Sequence, residues 1–311
     1  MNLRRICVLL QRNISNKLKS MSAITKYRKK IKSAKNIAKI TKAMQMIAAS
    51  KMKRAQDAAL KSKVYTTELV NLSSILSSQI DESVHPLLKK TIESKDLILI
   101  IAPEKGLCGS LVTNISRKLT EIIGTKDPAK TEYVVVGKKA KYIVGRMSGE
   151  IIGEFSPGVS QPKYEIVPSI AGLIEKRFVN GDVGRVICLY TEFYTTINQV
   201  PLYKILLPLS LAGNDILEKV IENNNKGYIK FEPSADSICN DFLSMFLETE
   251  IYQLLLESFA SEQSARMVAM KNATDNAKSL ISQLTLEYNK KRQEIITSEI
   301  IDIGNAVSIQ N

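Results

Sequence analysis

The fold is decided by the last long segment of the chain, SADSICNDFLSMFLETEIYQLLLESFASEQSARMVAMKNATDNAKSLISQLTLEYNKKRQEIITSEIIDI, residues 234–303. It runs for seventy positions without glycine or proline, where an average composition would place roughly eight. The first 85 residues also contain neither. Because glycine and proline are the residues that disfavour helix interiors, both ends of the chain are predicted to be long helices. The C-terminal helix alone would measure about 100 Å.

The C-terminal segment also carries a heptad repeat. Its apolar positions step by four and three from Ile238 to Phe259, and the pattern resumes from Met270 to Leu284. This spacing is typical of a coiled coil. Gln263 and Arg266 interrupt the pattern, which predicts that the packing loosens or shifts phase there.

The N-terminal segment combines one apolar stripe with a basic face. Ser22 is a suitable N-cap, and the stripe that follows extends from Ile24 to Ala59. Residues 1–56 contain sixteen Lys or Arg and no acid, whereas the remainder has 28 bases against 31 acids. For most of these basic residues taken singly, a solvent-exposed position on the helix is a sufficient explanation. Taken together, they favour an acidic partner surface.

The two helices are predicted to pair antiparallel, because both are rooted in the same middle region. The C-terminal helix is longer, so its tip should extend about 18 Å beyond the pair. The tip is rich in isoleucine on more than one stripe, at Ile295, Ile296, Ile300, Ile301 and Ile303. Unpaired apolar surface of this kind usually marks an interface.

The middle of the chain, roughly 95–232, alternates strand and helix patterns. Strands are predicted at 96–102, 133–136 and 183–190, with weaker signals at 195–207 and 227–232, and helices at 111–123, 138–147 and 168–179. The glycine- and proline-rich stretch 149–162 is predicted to be a loop. This alternation indicates an α/β layer with a mainly parallel sheet.

Residues 1–21 have the composition of an organelle transit peptide. Arg4, Arg5 and Arg12 alternate with apolar residues, and the segment lacks acids. The alternative is an untargeted basic N-terminus. The mitochondrion is favoured over the plastid.

No catalytic constellation emerges from the sequence. The turn Gly106–Ser110 follows a strand and precedes a helix, but no lysine follows Gly109, so it lacks the phosphate-loop pattern. Cys108 could act as a nucleophile only beside a base, and His85 is the only histidine. A small buried residue in a tight turn is the favoured interpretation of Cys108. Neither a metal site nor a transmembrane helix is expected, and His85 is interpreted as a solvated loop residue.

Three stretches together resemble the gamma subunit of F-type ATP synthase. They are the N-terminal run Ile31–Met52, the turn Gly106–Gly109, and a long C-terminal signature that begins at Ser261 and continues through Arg292 to Thr297. The resemblance covers residues 22 to about 306. It implies a long antiparallel coiled coil of N- and C-terminal helices flanking a central Rossmann-like α/β domain. The expected divisions are a transit peptide at 1–21, helices at 22–80 and 233–311, and the central domain at 81–232.

The resemblance further implies a non-catalytic rotor shaft without a cofactor. Its partners would be the alpha and beta subunits of the hexamer, the delta/epsilon-type stalk subunits and the membrane c-ring, with no nucleic acid and no membrane span. The location would be the matrix side of the mitochondrial inner membrane. The beta-subunit contacts implied by the resemblance are Arg292, Gln293, Thr297, Glu299, Met44, Lys105, Gly106 and Cys108.

Some alternatives remain open at this stage. Arg266 and Met267 either tune coiled-coil packing or contact a partner. A scaffold whose basic helix binds nucleic acid or anionic membrane is the competing function, although such a rod does not need an isoleucine-rich tip. A nucleotide-dependent enzyme is opposed by the missing phosphate loop.

Overall fold

The computed structural model describes residues 3–77, 85–89, 95–124, 131–158, 160–209 and 235–310. The helices are α1 (Leu3–Ser77), α2 (Leu111–Ile123), α3 (Lys138–Arg146), α4 (Val167–Val179) and α5 (Ala235–Gln310). The strands are β1 (Lys95–Ile101), β2 (Thr131–Val136), β3 (Glu150–Phe155), β4 (Val183–Phe193) and β5 (Gln199–Leu207). A short 3₁₀ turn, Tyr164–Ile166, leads into α4.

The chain forms two compact units. The sheet unit comprises Met46–Ala269, and the helix-pair unit comprises Met1–Gln45 with Met270–Asn311. Helices α1 and α5 each contribute residues to both units.

The sheet unit is built on five strands in the order β3-β2-β1-β4-β5. The first four are parallel, whereas β5 pairs antiparallel with β4 and places Ile205 opposite Ile187. The direction in which the strands are added reverses between β1 and β4. The connection that leaves β1, which contains α2, packs on one face of the sheet, and the connection that leads into β4, which contains α4, packs on the other. In an open α/β sheet this is the point where a crevice opens at the carboxyl ends of the strands.

Each face of the sheet has its own apolar core, because alternate residues of β1 point to opposite sides. Leu97, Leu99 and Ile101 belong to the core that also contains the apolar sides of α4 and α5. Ile98 and Ile100 belong to the core that contains the apolar sides of α2 and α3. Every one of these five side chains is almost completely buried.

Within the sheet unit, α5 is buried around most of its circumference instead of along one stripe. Between Leu247 and Ser264 nearly every side chain is buried. Ile251, Leu254 and Leu255 of this helix belong to the core on one face of the sheet. Further along the helix, Phe259 and Ala260 pack on Ala55 of α1. The heptad pattern therefore describes only part of this packing.

In the helix-pair unit, α1 and α5 lie against each other and run antiparallel. The hydroxyls of Thr41 and Thr274 share a hydrogen bond of 2.7 Å across the pair, and Tyr27 of α1 is close enough to influence Lys291 of α5 electrostatically. Among the residues of this unit whose burial the structure describes, the buried apolar positions are Ala34, Met270, Ala277 and Leu284. The small alanines allow the two helices to approach closely.

The predicted fold, with helical terminal segments flanking a central sheet, is confirmed. Two local predictions are wrong. Ser22 is not an N-cap, because α1 begins at Leu3 and no helix breaker lies between them. Residues 150–155 form β3 instead of a loop: Gly153 lies where a Cβ atom would come within 2.6 Å of Leu173 Cδ2, so this glycine permits close packing in a strand. Of the two alternatives predicted around Gln263, a loosening of the packing is not seen, since this side chain is buried, whereas a shift of phase stays a prediction.

The strand predicted at 227–232 lies outside the described residues. So do the predicted domain boundaries at 80/81 and 232/233, which stay predictions.

Candidate partner-contact sites

The loop between β1 and α2, residues 102–110, lies at the carboxyl edge of the sheet. Lys105 and Leu107 are exposed, and 63% of the Leu107 surface is accessible. Leu107 has a φ of 63°, and Gly109 a φ of 62°. A left-handed backbone costs an L-residue about 1–2 kcal/mol, so an exposed leucine in this conformation must be held by its surroundings.

Both flanks of this loop are fixed. A carboxylate oxygen of Glu104 accepts a hydrogen bond of 3.2 Å from the backbone N–H of Lys138, and the Lys138 ammonium is 3.1 Å from the other oxygen. The backbone N–H of Lys139 donates to the Pro103 carbonyl at 3.1 Å. A carboxylate at the first turn of α3 is also favoured by the helix dipole. On the other flank, Cys108 is buried among the apolar residues of α2 and α3.

The burial of Cys108 decides between the interpretations of this residue. Only 2% of its surface is exposed, and burial raises the pKa of its thiol, although Arg266 acts in the opposite direction. A raised pKa keeps the group a neutral thiol, which is a poor nucleophile. The side chain faces the core and not a partner, so Cys108 is not retained among the proposed contacts. Leu107, which the sequence reasoning missed, is the exposed apolar residue of this turn.

Arg266 connects α5 to the same loop. One guanidinium nitrogen lies 2.7 Å from Glu262 Oε1, and another donates to the carbonyl oxygens of Lys105 and Gly106 at 3.0 and 3.2 Å. Burial raises the pKa of Glu262, while Arg266 acts to lower it. Two roles were expected for Arg266 from the sequence, coiled-coil packing and contact with a partner. The structure adds a third, which is a contact with a loop of the same chain.

Helix α5 also fills the crevice at the carboxyl ends of β1 and β4. The Ser258 hydroxyl accepts a hydrogen bond from the Thr191 N–H at 3.1 Å, and the Ser261 hydroxyl donates to the Thr191 carbonyl at 3.0 Å. The space that remains between Pro103 and Phe259 is about 10 Å³, which is about the minimum for one water molecule. In this fold, the crevice where other α/β sheets bind ligands is occupied by the protein's own helix.

The hairpin between β4 and β5 is a further exposed feature that the sequence does not predict as a site. The Ser264 hydroxyl donates to the Thr196 carbonyl at 2.9 Å, and the hairpin projects Ile197, 83% of whose surface is accessible. No local pattern marks this residue, because its exposure follows from where the hairpin leaves the sheet.

The predicted tip residues lie in the helix-pair unit. Arg292, Gln293, Thr297 and Glu299 are all exposed. The Thr297 hydroxyl donates back to the Gln293 carbonyl at 2.9 Å. Because the hydroxyl proton of Thr297 is used in this bond, the lone pairs of its oxygen remain available to accept hydrogen bonds from a partner.

The isoleucines of the tip form an exposed apolar surface. Ile300 and Ile303 are each 64% accessible, Ile301 is 55% and Ile296 is 43% accessible, whereas Ile295 is partly buried. Met44 is partly buried in the same unit, and basic residues of α1 near it in sequence are exposed, including Lys35, Lys39 and Lys42.

The described residues show neither a metal cluster nor a membrane span. No group of three His, Cys, Asp or Glu side chains in this part of the chain could hold a metal ion. Within the same residues, no helix is long and apolar enough to cross a membrane.

Comparison with known proteins identifies the family. A family model described as ATP synthase matches residues 23–308. The ATP synthase gamma chain of a strain of Dehalococcoides mccartyi is 41% identical over 93% of this chain and the whole of the relative. The chain belongs to the gamma-chain family of ATP synthase. The gamma chain of Brevibacillus brevis, 35% identical over 92% of this chain and 98% of the relative, agrees.

Solved structures of ATP synthases contain the same fold. A chain from the Euglena gracilis mitochondrial ATP synthase, in its OSCP/F1/c-ring structure, superposes with a TM-score of 0.64 at 20% identity and covers 93% of this chain and 95% of that chain. A chain from the Tetrahymena thermophila central stalk and c-ring structure gives a TM-score of 0.57 at 23% identity, with 75% and 99% covered. At this level of identity the likeness is one of fold.

Proposed function

We propose that this protein is the central rotor shaft of a proton-translocating F-type ATP synthase. As the shaft turns, it presents different sides to the catalytic beta subunits and so couples rotation of the membrane c-ring to ATP synthesis. The chain itself is a non-catalytic component. The observation that carries the proposal is the family match, which extends over residues 23–308 and includes both terminal helices.

The exposed tip of the helix-pair unit supports a location inside a ring of alpha and beta subunits. Several isoleucines there are more than half exposed, and apolar surface of this kind is stabilised when a partner covers it. Arg292, Gln293, Thr297 and Glu299 provide the polar contacts to a beta subunit. Met44 and the basic face of α1 supply a second contact region.

The loop at the carboxyl edge of the sheet unit is the proposed contact for an acidic segment of a beta subunit. Lys105 provides the positive charge, Leu107 the apolar contact, and Gly106 the close approach of the backbone. A lysine at this position attracts a carboxylate as a point charge but cannot bind it in the bidentate way that an arginine can. The delta/epsilon-type stalk subunits and the c-ring complete the proposed set of partners.

We further propose that the protein works on the matrix side of the mitochondrial inner membrane. Residues 1–21 have a basic, acid-free composition, and the family match begins at residue 23, just after them. N-terminal sequencing of the protein from purified organelles tests this. A mature protein that begins near residue 22 is the expected result, and one that begins at Met1 contradicts it.

The rotor function is tested by isolating the tagged protein from its native membranes in mild detergent. Alpha and beta subunits should be recovered in a hexamer with ATPase activity. Their absence would contradict the proposal. Recovery of nucleic acid instead would support the scaffold alternative.

Substitution of Arg292 tests the tip contact. Arg292→Ala should leave assembly intact and lower the rate of coupled ATP synthesis, because a charge-assisted contact is lost. Lys290→Ala is the matched control, since Lys290 is also exposed and carries the same charge on the same helix. Equal synthesis rates in the wild type and Arg292→Ala would remove Arg292 from the contact.

A further inference from the structure

The loop between β1 and α2 is held at both of its ends and is exposed between them. Glu104 is fixed to the first turn of α3, and Cys108 is fixed in the core. Between these two anchors the chain presents Lys105 and Leu107 to solvent. Leu107 does so with a positive φ, a conformation that persists only when neighbouring groups hold it.

The group that holds this short span is Arg266. Its side chain is only 11% exposed, and its guanidinium donates to the carbonyls of both residues that precede Leu107. Glu262, one turn earlier on α5, binds the same guanidinium at 2.7 Å and directs it towards the loop. A planar guanidinium with several donors in a fixed arrangement can serve a carboxylate and two carbonyls at once, which a lysine ammonium does less well.

We propose that Arg266 is a positioning residue: it fixes the backbone of residues 105–107 so that Lys105 and Leu107 face the beta subunit. This rests on the rotor function proposed above. Arg266 lies in the C-terminal signature, and its contact within the chain gives this residue a purpose other than helix packing. The contact also makes the loop move as one body with the part of α5 that belongs to the sheet unit.

The first test measures the loop itself. In the assembled complex, hydrogen exchange of the amides of Leu111 and Asn114, which donate to the loop carbonyls of Cys108 and Ser110, should be about tenfold faster in Arg266→Ala, because charge-assisted hydrogen bonds that oppose local opening of the loop are lost. Arg266→Lys should show an intermediate rate. Arg185→Lys is the control: Arg185 forms a similar pair with Asp96, at the opposite end of β1, and its substitution should leave the loop unchanged.

The second test asks whether Arg266 acts through Lys105 and Leu107. Arg266→Lys and Arg266→Ala should each lower the number of protons transported per ATP hydrolysed, with unchanged recovery of alpha and beta subunits. In a background that carries both Lys105→Ala and Leu107→Ala, Arg266→Lys should cause no further loss. A loss of the same size in both backgrounds, or unchanged exchange of the Leu111 and Asn114 amides, would overturn the positioning role. Failure of the wild-type protein to bring down alpha and beta subunits would instead refute the rotor function.

Discussion

Gly137 is the position where one methyl group should do most damage to the sheet unit. It lies between β2 and α3 with a φ of 91°, and a Cβ atom there would be 2.2 Å from the Ala102 carbonyl oxygen and 3.3 Å from the Pro103 carbonyl carbon. Real Cβ contacts are essentially never shorter than 3.0 Å, so the backbone would have to move by roughly the difference, 3.0 − 2.2 = 0.8 Å. That movement would strain the hydrogen bond of 3.0 Å from Ala102 N–H to the Val136 carbonyl.

The expected cost of Gly137→Ala combines two terms. The backbone of Gly137, with a φ of 91° and a ψ of 146°, lies in a region that is nearly restricted to glycine and costs an alanine about 1–3 kcal/mol. Overpacking against the backbone costs about 1–3 kcal/mol more, so the free energy of unfolding of the sheet unit should fall by about 2–6 kcal/mol. Gly172→Ala is the matched control. Gly172 is exposed in α4, and a Cβ there would meet nothing within 4 Å, so the substitution should stabilise the unit by about 0.5–1 kcal/mol.

Hydrogen exchange of the amides of β1 and β2, followed by mass spectrometry on the full chain, reads the stability of this unit directly. The slowest amides should exchange roughly 30-fold faster or more in Gly137→Ala, and more slowly than wild type in Gly172→Ala. An exchange rate in Gly137→Ala close to that of the wild type would refute the steric argument, because it would mean that the backbone accommodates the methyl group without cost.

Three further predictions concern buried polar groups. Arg177→Ala should destabilise the sheet unit by about 1.5–3 kcal/mol in urea unfolding, because it removes the guanidinium that lies 2.6 Å from the buried carboxylate of Glu132, although the Lys95 ammonium at 3.3 Å remains. Glu257→Gln should raise the melting temperature in mildly alkaline buffer but not in acid. Burial raises the pKa of Glu257, so its contribution to stability is complete below the unfolded pKa and is lost as the pH rises through the folded pKa, whereas glutamine does not titrate. Thr41→Val and Thr274→Val should each cost about 1 kcal/mol, and a double-mutant cycle should show coupling between them.

Each of these predictions has a result that contradicts it. Arg177→Lys should recover part of the stability, and equal stability of the wild type and Arg177→Ala would show that Glu132 does not depend on this partner. A gain in Glu257→Gln that is the same in acid and in alkali would indicate a packing effect instead of a titration. Additive effects of the two threonine substitutions would mean that their hydrogen bond contributes little.

Much of the fold can be predicted from local patterns. The predicted bounds of helix α2 are the ones that it has in the structure, since its apolar positions repeat with helical spacing and a glycine follows its end. The core strands are recognisable because their β-branched residues form continuous apolar runs. The strand β3 escapes prediction because glycine weakens its pattern, and the reason for that glycine, close packing against Leu173, is a long-range contact.

Some residues of the candidate sites can likewise be predicted from local patterns, and others cannot. The exposed isoleucines and Arg292 can be found because they follow an uninterrupted helical pattern. At the turn, the residue pattern correctly predicts that Cys108 is buried, whereas the family resemblance places it among the partner contacts. Leu107 is missed, since a turn sequence does not show that this apolar side chain is exposed.

Reading along the chain is enough to establish that both ends are long helices, that the middle is an α/β layer, and which family the chain resembles. These properties depend on local periodicity, on the absence of helix breakers and on motifs that lie along the chain. That α5 fills the crevice of the sheet, and that Arg266 holds a loop 160 residues away in sequence, became visible only in three dimensions. Both depend on which surfaces meet when the chain closes on itself, and a one-dimensional pattern does not specify those contacts.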